Sequence, residues 1–182
     1  LTTRRQRQMC IRDRSCYALL GALFVLTYLP SGWLADRFRL RNLIAGSLLV
    51  TGLIGIWFAT FPPLDQVRLI FIGWGLSSGL TFWAAMIKAV SLIAPLSAQG
   101  RFFGWLEGGR GAVEALLASL AVGLFALLLS RSEMLVGSAL QVVIWLYAGF
   151  SIAVAWPVLN WLNDDEASSS QSAKAVSYTH LR

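Results

Sequence analysis

Charge is scarce in this chain of 182 residues: Asp, Glu, Lys and Arg together make 13% of it. Soluble domains carry roughly 25%. Histidine is scarcer still, with a single residue, His180, and cysteine is limited to Cys10 and Cys16. With that histidine in the terminal run 176–182, no Ser/His/Asp or Cys/His set is recognised, and no catalytic constellation is expected. The two cysteines show neither metal-ligand nor disulfide-framework spacing. No G-x-x-x-x-G-K-[ST] run is present, which removes a nucleotide-driven mechanism. The expectation is a protein without catalytic residues, metal or cofactor. What is abundant is apolar: 57% of residues are hydrophobic, mean hydropathy is +0.65, and there are eight Trp and sixteen Gly. A 20 kDa globule cannot hide that much apolar surface, and a disordered or acidic-tail protein would not carry it. Trp anchoring interfaces and Gly packing helices fit a membrane protein.

The ends differ from the middle. Residues 1–15 hold Arg4, Arg5, Arg7, Arg12 and Arg14 with one acid, Asp13. A signal-peptide reading fails because no small-residue cleavage site follows the basic stretch. A DNA-binding arm is the other alternative, but the rest of the chain offers nothing to continue it, and no nucleic-acid partner is expected. The run Gln8-Met9-Cys10-Ile11-Arg12-Asp13-Arg14-Ser15 resembles translated sequencing-adapter read-through, as does Val176-Ser177-Tyr178-Thr179-His180-Leu181-Arg182. Residues 1–15 and 176–182 are therefore expected to be a non-native leader and tail. Between Cys16 and Asn163 eight basic and five acidic residues leave a net charge of +3, half of the +6 of the whole chain.

Five apolar runs approach the roughly 20 residues that cross about 30 Å of hydrocarbon as a helix. They are 17–34, interrupted by Pro30; 43–61; 69–94, with Lys88 inside; a run from about 102, most apolar over 112–129; and 134–162, with Pro157 near its end. None alternates apolar with polar, so strands are not expected. An all-α membrane bundle over 16–162 is predicted, followed by a polar linker at 163–175 (Asp164, Asp165, Glu166 and then Ser-rich). The connections alternate in character. Phe61-Pro62-Pro63-Leu64-Asp65-Gln66 and Ser130-Arg131-Ser132-Glu133, with Ser132 as a candidate N-cap, are short turns. Arg37, Arg39 and Arg41, and then Arg101 and Arg110, mark the other two connections as the positively charged ones. The positive-inside rule places those, and the 163–175 linker, in the cytoplasm.

The first basic connection reads Gly32-Trp33-Leu34-Ala35-Asp36-Arg37-Phe38-Arg39-Leu40-Arg41. It resembles the signature loop between helices 2 and 3 of the major facilitator superfamily, G-x-L-A-D-R-x-G-R-R/K. Gly32, Leu34, Ala35, Asp36, Arg37 and Arg41 match, while Arg39 and Leu40 depart from it. The resemblance implies that the five spans are approximately helices 2–6 of a six-helix N-terminal bundle. Helix 1 and the C-terminal half would then be missing partners, alongside the lipid bilayer. It implies secondary active transport of a small solute across the bacterial inner membrane by alternating access, with Gly32, Asp36, Arg37 and Arg41 as a gating motif. On physical grounds Gly32 permits close helix approach, and Asp36 suits hydrogen bonding to a neighbouring helix N-terminus. Arg37 and Arg41 suit pairing with that carboxylate or with lipid phosphate.

The segment Gln99-Gly100-Arg101-Phe102-Phe103-Gly104-Trp105-Leu106-Glu107-Gly108-Gly109-Arg110-Gly111 is the second unusual one. It resembles the start of helix 5 in the branch of that superfamily near organophosphate and sugar-acid permeases. Gly104 and Gly108 offer a small-residue face. Glu107 and Arg110, three apart, can pair, and Glu114 lies four beyond Arg110. Gly75 and Gly79 suggest another packing face. Ionisable residues inside spans are the best pointers to function. Lys88, Glu107, Arg110 and Glu114 are thus the candidate substrate or ion-pair residues. Lys88 and Arg110 suggest a small organic anion as substrate, although Lys88 near a span end also suits snorkelling to water. Trp83 and Trp105 are expected at the lipid interface rather than in a site. The competing function is a membrane anchor or non-transporting subunit, in which the Arg-rich loops would serve topology alone.

Overall fold

The structure is a computed structural model that describes the backbone of residues 2–131 and 135–162, and side chains over 14–95, 97–130 and 135–162. The candidate cap Ser132, the linker 163–175 and the tail 176–182 lie outside the described residues. Every described element is helical. α1 runs Thr2–Arg37, α2 Leu40–Phe58, α3 Leu64–Leu76, α4 Trp83–Ile93, α5 Gln99–Arg131 and α6 Val136–Trp161. A π-helical segment, Ser77–Phe82, fuses α3 to α4, and a 3₁₀ turn, Leu96–Ala98, leads into α5. Five stretches are long and apolar enough to cross a membrane: Arg14–Arg37, Leu40–Phe58, Leu64–Ile93, Gln99–Ser130 and Val136–Trp161. The all-α membrane class expected from the sequence holds.

Span limits move at the polar turns. Leu64, Asp65 and Gln66, expected in a turn, form the first turn of α3, with extended Pro63 preceding it. Asp65 there faces the positive end of the helix dipole. Pro30 does not interrupt α1, nor Pro157 α6. Each proline sits within two turns of its helix end, and helices that pack in a bilayer re-satisfy the carbonyl a proline frees. The turn after α2 closes through Phe61, held at a φ of 51° ahead of Pro62.

Packing is uneven. α2 and α6 form the most extensive interface, because small residues let their backbones approach. A Cβ on Gly52 would come within 2.5 Å of Ile152 Cγ1 and 2.9 Å of the Ala148 carbonyl, and one on Gly55 would meet Ala148 Cβ at 3.1 Å. The Gly75 and Gly79 face packs as expected: a Cβ on Gly75 would meet Leu23 of α1 at 3.1 Å, and one on Gly79 would collide with Thr27 Oγ1 and touch Phe24. At one end Tyr17, Phe71, Trp74 and Phe58 stack edge-on in series, with centroids 5.5–5.6 Å apart, joining α1, α3 and α2. At that same end Gln141 of α6 donates to the Ala59 carbonyl at 2.9 Å. At the other end Ala35, Leu40, Ile44, Ala85 and Ala89 form a buried core between α1, α2 and α4.

The π-helical segment lies mid-span and is cross-bonded to α2. Ser47 Oγ donates to the Ser77 carbonyl at 2.8 Å, and Ser77 Oγ donates to the Ser47 carbonyl at 3.0 Å. Thr51 Oγ1 lies 3.2 Å from Ser77 Oγ, and Trp74 Nε1 donates to the Thr51 carbonyl at 3.2 Å. Ser47 and Ser77 are buried. A π turn loosens the helical ladder locally, and the hydroxyls of α2 re-satisfy it in a region without water.

Candidate functional site

The small residues Ala35, Ala85 and Ala89 bring α1 and α4 together, and an ion pair sits above them. Lys88 Nζ lies 2.7 Å from Asp36 Oδ1 and also donates to the Ala35 carbonyl at 3.0 Å. The ammonium thus meets both a carboxylate and a carbonyl at the negative end of α1, where the dipole favours a cation. The pair is asymmetric: the Lys88 side chain is 23% exposed and that of Asp36 75%. Beside it a cleft of about 460 Å³ opens between α1 and α4, lined by Tyr28, Ser31, Gly32, Ala35, Asp36, Trp83, Ala84, Ile87, Lys88 and Ser91. A tethered ammonium, hydroxyl groups and an indole wall suit a small polar solute with an anionic group.

A second cleft of about 450 Å³ lies between α4 and α5. Trp83 is a wall of both clefts, so it partitions them. On the α5 side Arg110 is held from two directions. Its Nη2 and Nε lie 2.7 and 3.1 Å from Glu107 Oε2, and its Nη1 lies 2.8 Å from Glu114 Oε1. Its guanidinium also stands 5.8 Å from the centre of the Trp83 ring, a cation–π contact. Phe82, Met86, Trp105 and Val113 supply apolar wall.

The predicted residues thus divide into two groups. Lys88 and Asp36 come together; Glu107, Arg110 and Glu114 come together as the spacing anticipated. Several assigned roles change. Gly32 is not a close-approach glycine, since nothing lies within 4 Å of a Cβ placed there; it lines the first cleft instead. Gly104 and Gly108 likewise meet nothing. Asp36 bonds a side chain, Lys88, rather than a helix N-terminus. Arg37 lies over the Trp33 ring at 5.2 Å from its centre, and not on Asp36. Arg41 sits half-buried in the first turn of α2. Lys88 does not snorkel freely; it is the bridge between two helices. Arg110 is no open anion receptor, because two carboxylates already occupy it. Trp83, expected at the lipid interface, is the shared wall of both clefts. No periodicity argument links positions 36 and 88, since the two are 52 residues apart. The one available signal was that each is an ionisable residue near the same end of its span.

The chain is 33% identical over 153 residues to inner membrane protein YqcE of Escherichia coli (strain K12), covering 84% of this chain and 35% of that protein. It is 31% identical over 156 residues to inner membrane protein YihN of the same organism, covering 83% and 35%. A third relative, uncharacterized protein MG294 homolog of Mycoplasma pneumoniae, is 31% identical over 106 residues. The chain spans about a third of the length of its two E. coli relatives. No protein-family model matches it, and no solved structure matches it. Together with the five spans, the relatives make this a multi-pass bacterial inner-membrane protein. The assignment to the major facilitator superfamily is corrected here. No family model supports it, the names of the two E. coli relatives speak only of inner membrane proteins, and the covered third does not identify the chain as the N-terminal half of such a transporter.

Proposed function

We propose that this protein moves a small organic anion across the inner membrane, driven by an ion gradient and without catalysis, through the cleft between α1 and α4. The observation that carries the reading is Lys88: a largely enclosed ammonium at the wall of an open cleft, held by a carboxylate that is itself mostly exposed. Ionisable side chains within spans are rare, and where they occur they mark solute pathways, proton relays or ligand counter-ions. An incoming anion takes the ammonium from Asp36, and the freed carboxylate moves into water. Loss of that bridge unties α1 from α4, which couples occupancy to helix separation. The fusion of α3 to α4 through Ser77–Phe82 gives the same span a place to bend. In this reading the Arg37, Arg39, Arg41 and Arg101 end faces the cytoplasm. Support for a common end comes from the Lys88–Asp36 bond, which joins the close of α1 to the close of α4.

The test is a titration of the purified chain in lipid nanodiscs with small organic phosphates, sulfonates and carboxylates, read by the fluorescence of Trp83, the cleft wall. A Trp83→Phe control assigns the signal. Saturable quenching by a member of the panel, lost in Lys88→Met and kept in Lys88→Arg, is the expected result. Absence of saturable quenching across the panel, or its survival in Lys88→Met, contradicts the proposal.

A further inference from the structure

Glu114 lies halfway along the candidate span Gln99–Ser130. α4 and α5 run antiparallel, and Trp83 and Arg110 are in contact. Trp83 is five residues from Lys88, and Glu114 four residues beyond Arg110. At 1.5 Å per residue the two steps place Glu114 about 13 Å deeper than the Lys88–Asp36 layer at the end of α1, close to the middle of a hydrocarbon core of about 30 Å. Glu107, Arg110 and Glu114 lie on one face of α5, three and four residues apart. One guanidinium shared by two carboxylates leaves that face with a net charge of −1. Among the described residues, the neighbouring α4 and α6 offer no cation to offset it. α4 contributes Trp83 and Met86 to the cleft wall and commits its one charged side chain, Lys88, to Asp36. α6 carries no charged residue.

α5 is also the least covered of the spans. Only 6% of its most apolar window is buried, against 33% for α2. Glu114 is 66% exposed while making a single bond to Arg110, so carboxylate lone pairs point away from the fold. A charge at that depth does not face lipid; it faces protein or a water-filled cavity. A second copy of this chain is a poor cover: related by a two-fold axis along the membrane normal, it would set Glu114 against Glu114.

We propose that the Glu107–Arg110–Glu114 face of α5 is a docking surface for another membrane-spanning helix that carries a lysine or arginine at mid-depth. The basic side chain inserts into the cleft beside Trp105 and bonds the free side of Glu114, which brings the buried charge of the assembly to zero. The apolar part of the helix covers the bare surface of α5. This inference is independent of the transport reading, since it concerns the other side of Trp83.

The test uses the full chain in lipid nanodiscs and three fluorescent peptides of about 20 apolar residues, carrying a central Lys, a central Glu or no polar residue. Energy transfer reports association. The central-Lys peptide is expected to bind roughly tenfold tighter than the other two, the size of one polar contact between helices in a bilayer. Glu114→Gln removes the preference, Glu114→Asp keeps it, and Arg110→Met strengthens it. Circular dichroism of each variant checks that the helices persist. Equal binding of the three peptides overturns the proposal in favour of a face turned to water. Self-association of the chain that excludes the peptides and is unaffected by Glu114→Gln overturns it in favour of a second copy. Loss of anion quenching at the first cleft would leave this result unchanged, so the two ideas fail separately.

Discussion

Two charged groups, one on each side of the Trp83 indole, are built on opposite plans. Lys88 and Asp36 come from different helices and tie them together across a tightly packed end. Glu107, Arg110 and Glu114 come from one helix and bind only each other and Trp83, on the span with the least cover. The first arrangement couples the position of α1 to the state of an ammonium, which is what a moving part needs. The second fixes charges on a single rigid rod and leaves their outer side open, which is what a contact surface needs. Charge inside a membrane span is therefore informative only with its partner: the same residue types form an interhelical bridge in one place and a one-helix cluster, the proposed docking face, in the other.

The largest difference is expected when the same bulk is added to the tight α2–α6 interface and to the open span α5. Gly52→Leu drives a side chain into Ile152 and the Ala148 carbonyl and should destabilise the chain by about 1–3 kcal/mol. Gly123→Leu on α5, where nothing lies within 4 Å, should change little. Unfolding midpoints in mixed micelles separate the two, and equal effects would deny that α5 is open. Next in size, Ser47→Ala deletes the donor to the Ser77 carbonyl and the hydroxyl contact beside it. About 1 kcal/mol should go with them, given that one such interhelical bond averages roughly 0.6 kcal/mol. The same assay reads it.

Two further substitutions, of equal or smaller effect, act at the charges themselves. Lys88→Met removes an interhelical pair whose lysine is mostly enclosed, and a loss of about 1 kcal/mol is expected, the upper end for exposed pairs because Asp36 remains in water. Glu107→Gln removes a pair within one helix and should cost less than about 0.5 kcal/mol. A cost at Glu107 equal to that at Lys88 would show that α5 depends on tertiary contacts the structure does not give it.

Much of this architecture is legible in the residues. Long apolar runs without alternation give five helices, because a bilayer leaves the backbone no other partner than itself. The pairing of Glu107 with Arg110 and Glu114 follows from helical spacing alone. Helix limits at Leu64 and Gln99 were less legible, because polar residues that suit a turn suit a helix start as well. The π-helical segment left no signal beyond Ser77-Ser78-Gly79, since it depends on hydroxyls of Ser47 and Thr51 some 30 residues away. The Lys88–Asp36 bond was illegible for the same reason: contact across 52 residues is set by how α1 and α4 cross, not by local pattern. The family likeness of the loop around Asp36 finds no support in a family model or in the relatives' names. Its physical worth lies instead in the partner that the fold brings to it.

In the proposed mechanism an anion competes with Asp36 for Lys88. The most direct measurement is therefore the affinity of the Asp36→Asn variant, beside the unaltered chain, for the anion that quenches Trp83 best. Removing the competing carboxylate should tighten binding by roughly threefold to tenfold, the equivalent of about 1 kcal/mol of pairing released. Affinity that is unchanged or weaker in Asp36→Asn would contradict the account, and would leave Lys88 and Asp36 as a bridge that only holds two helices together.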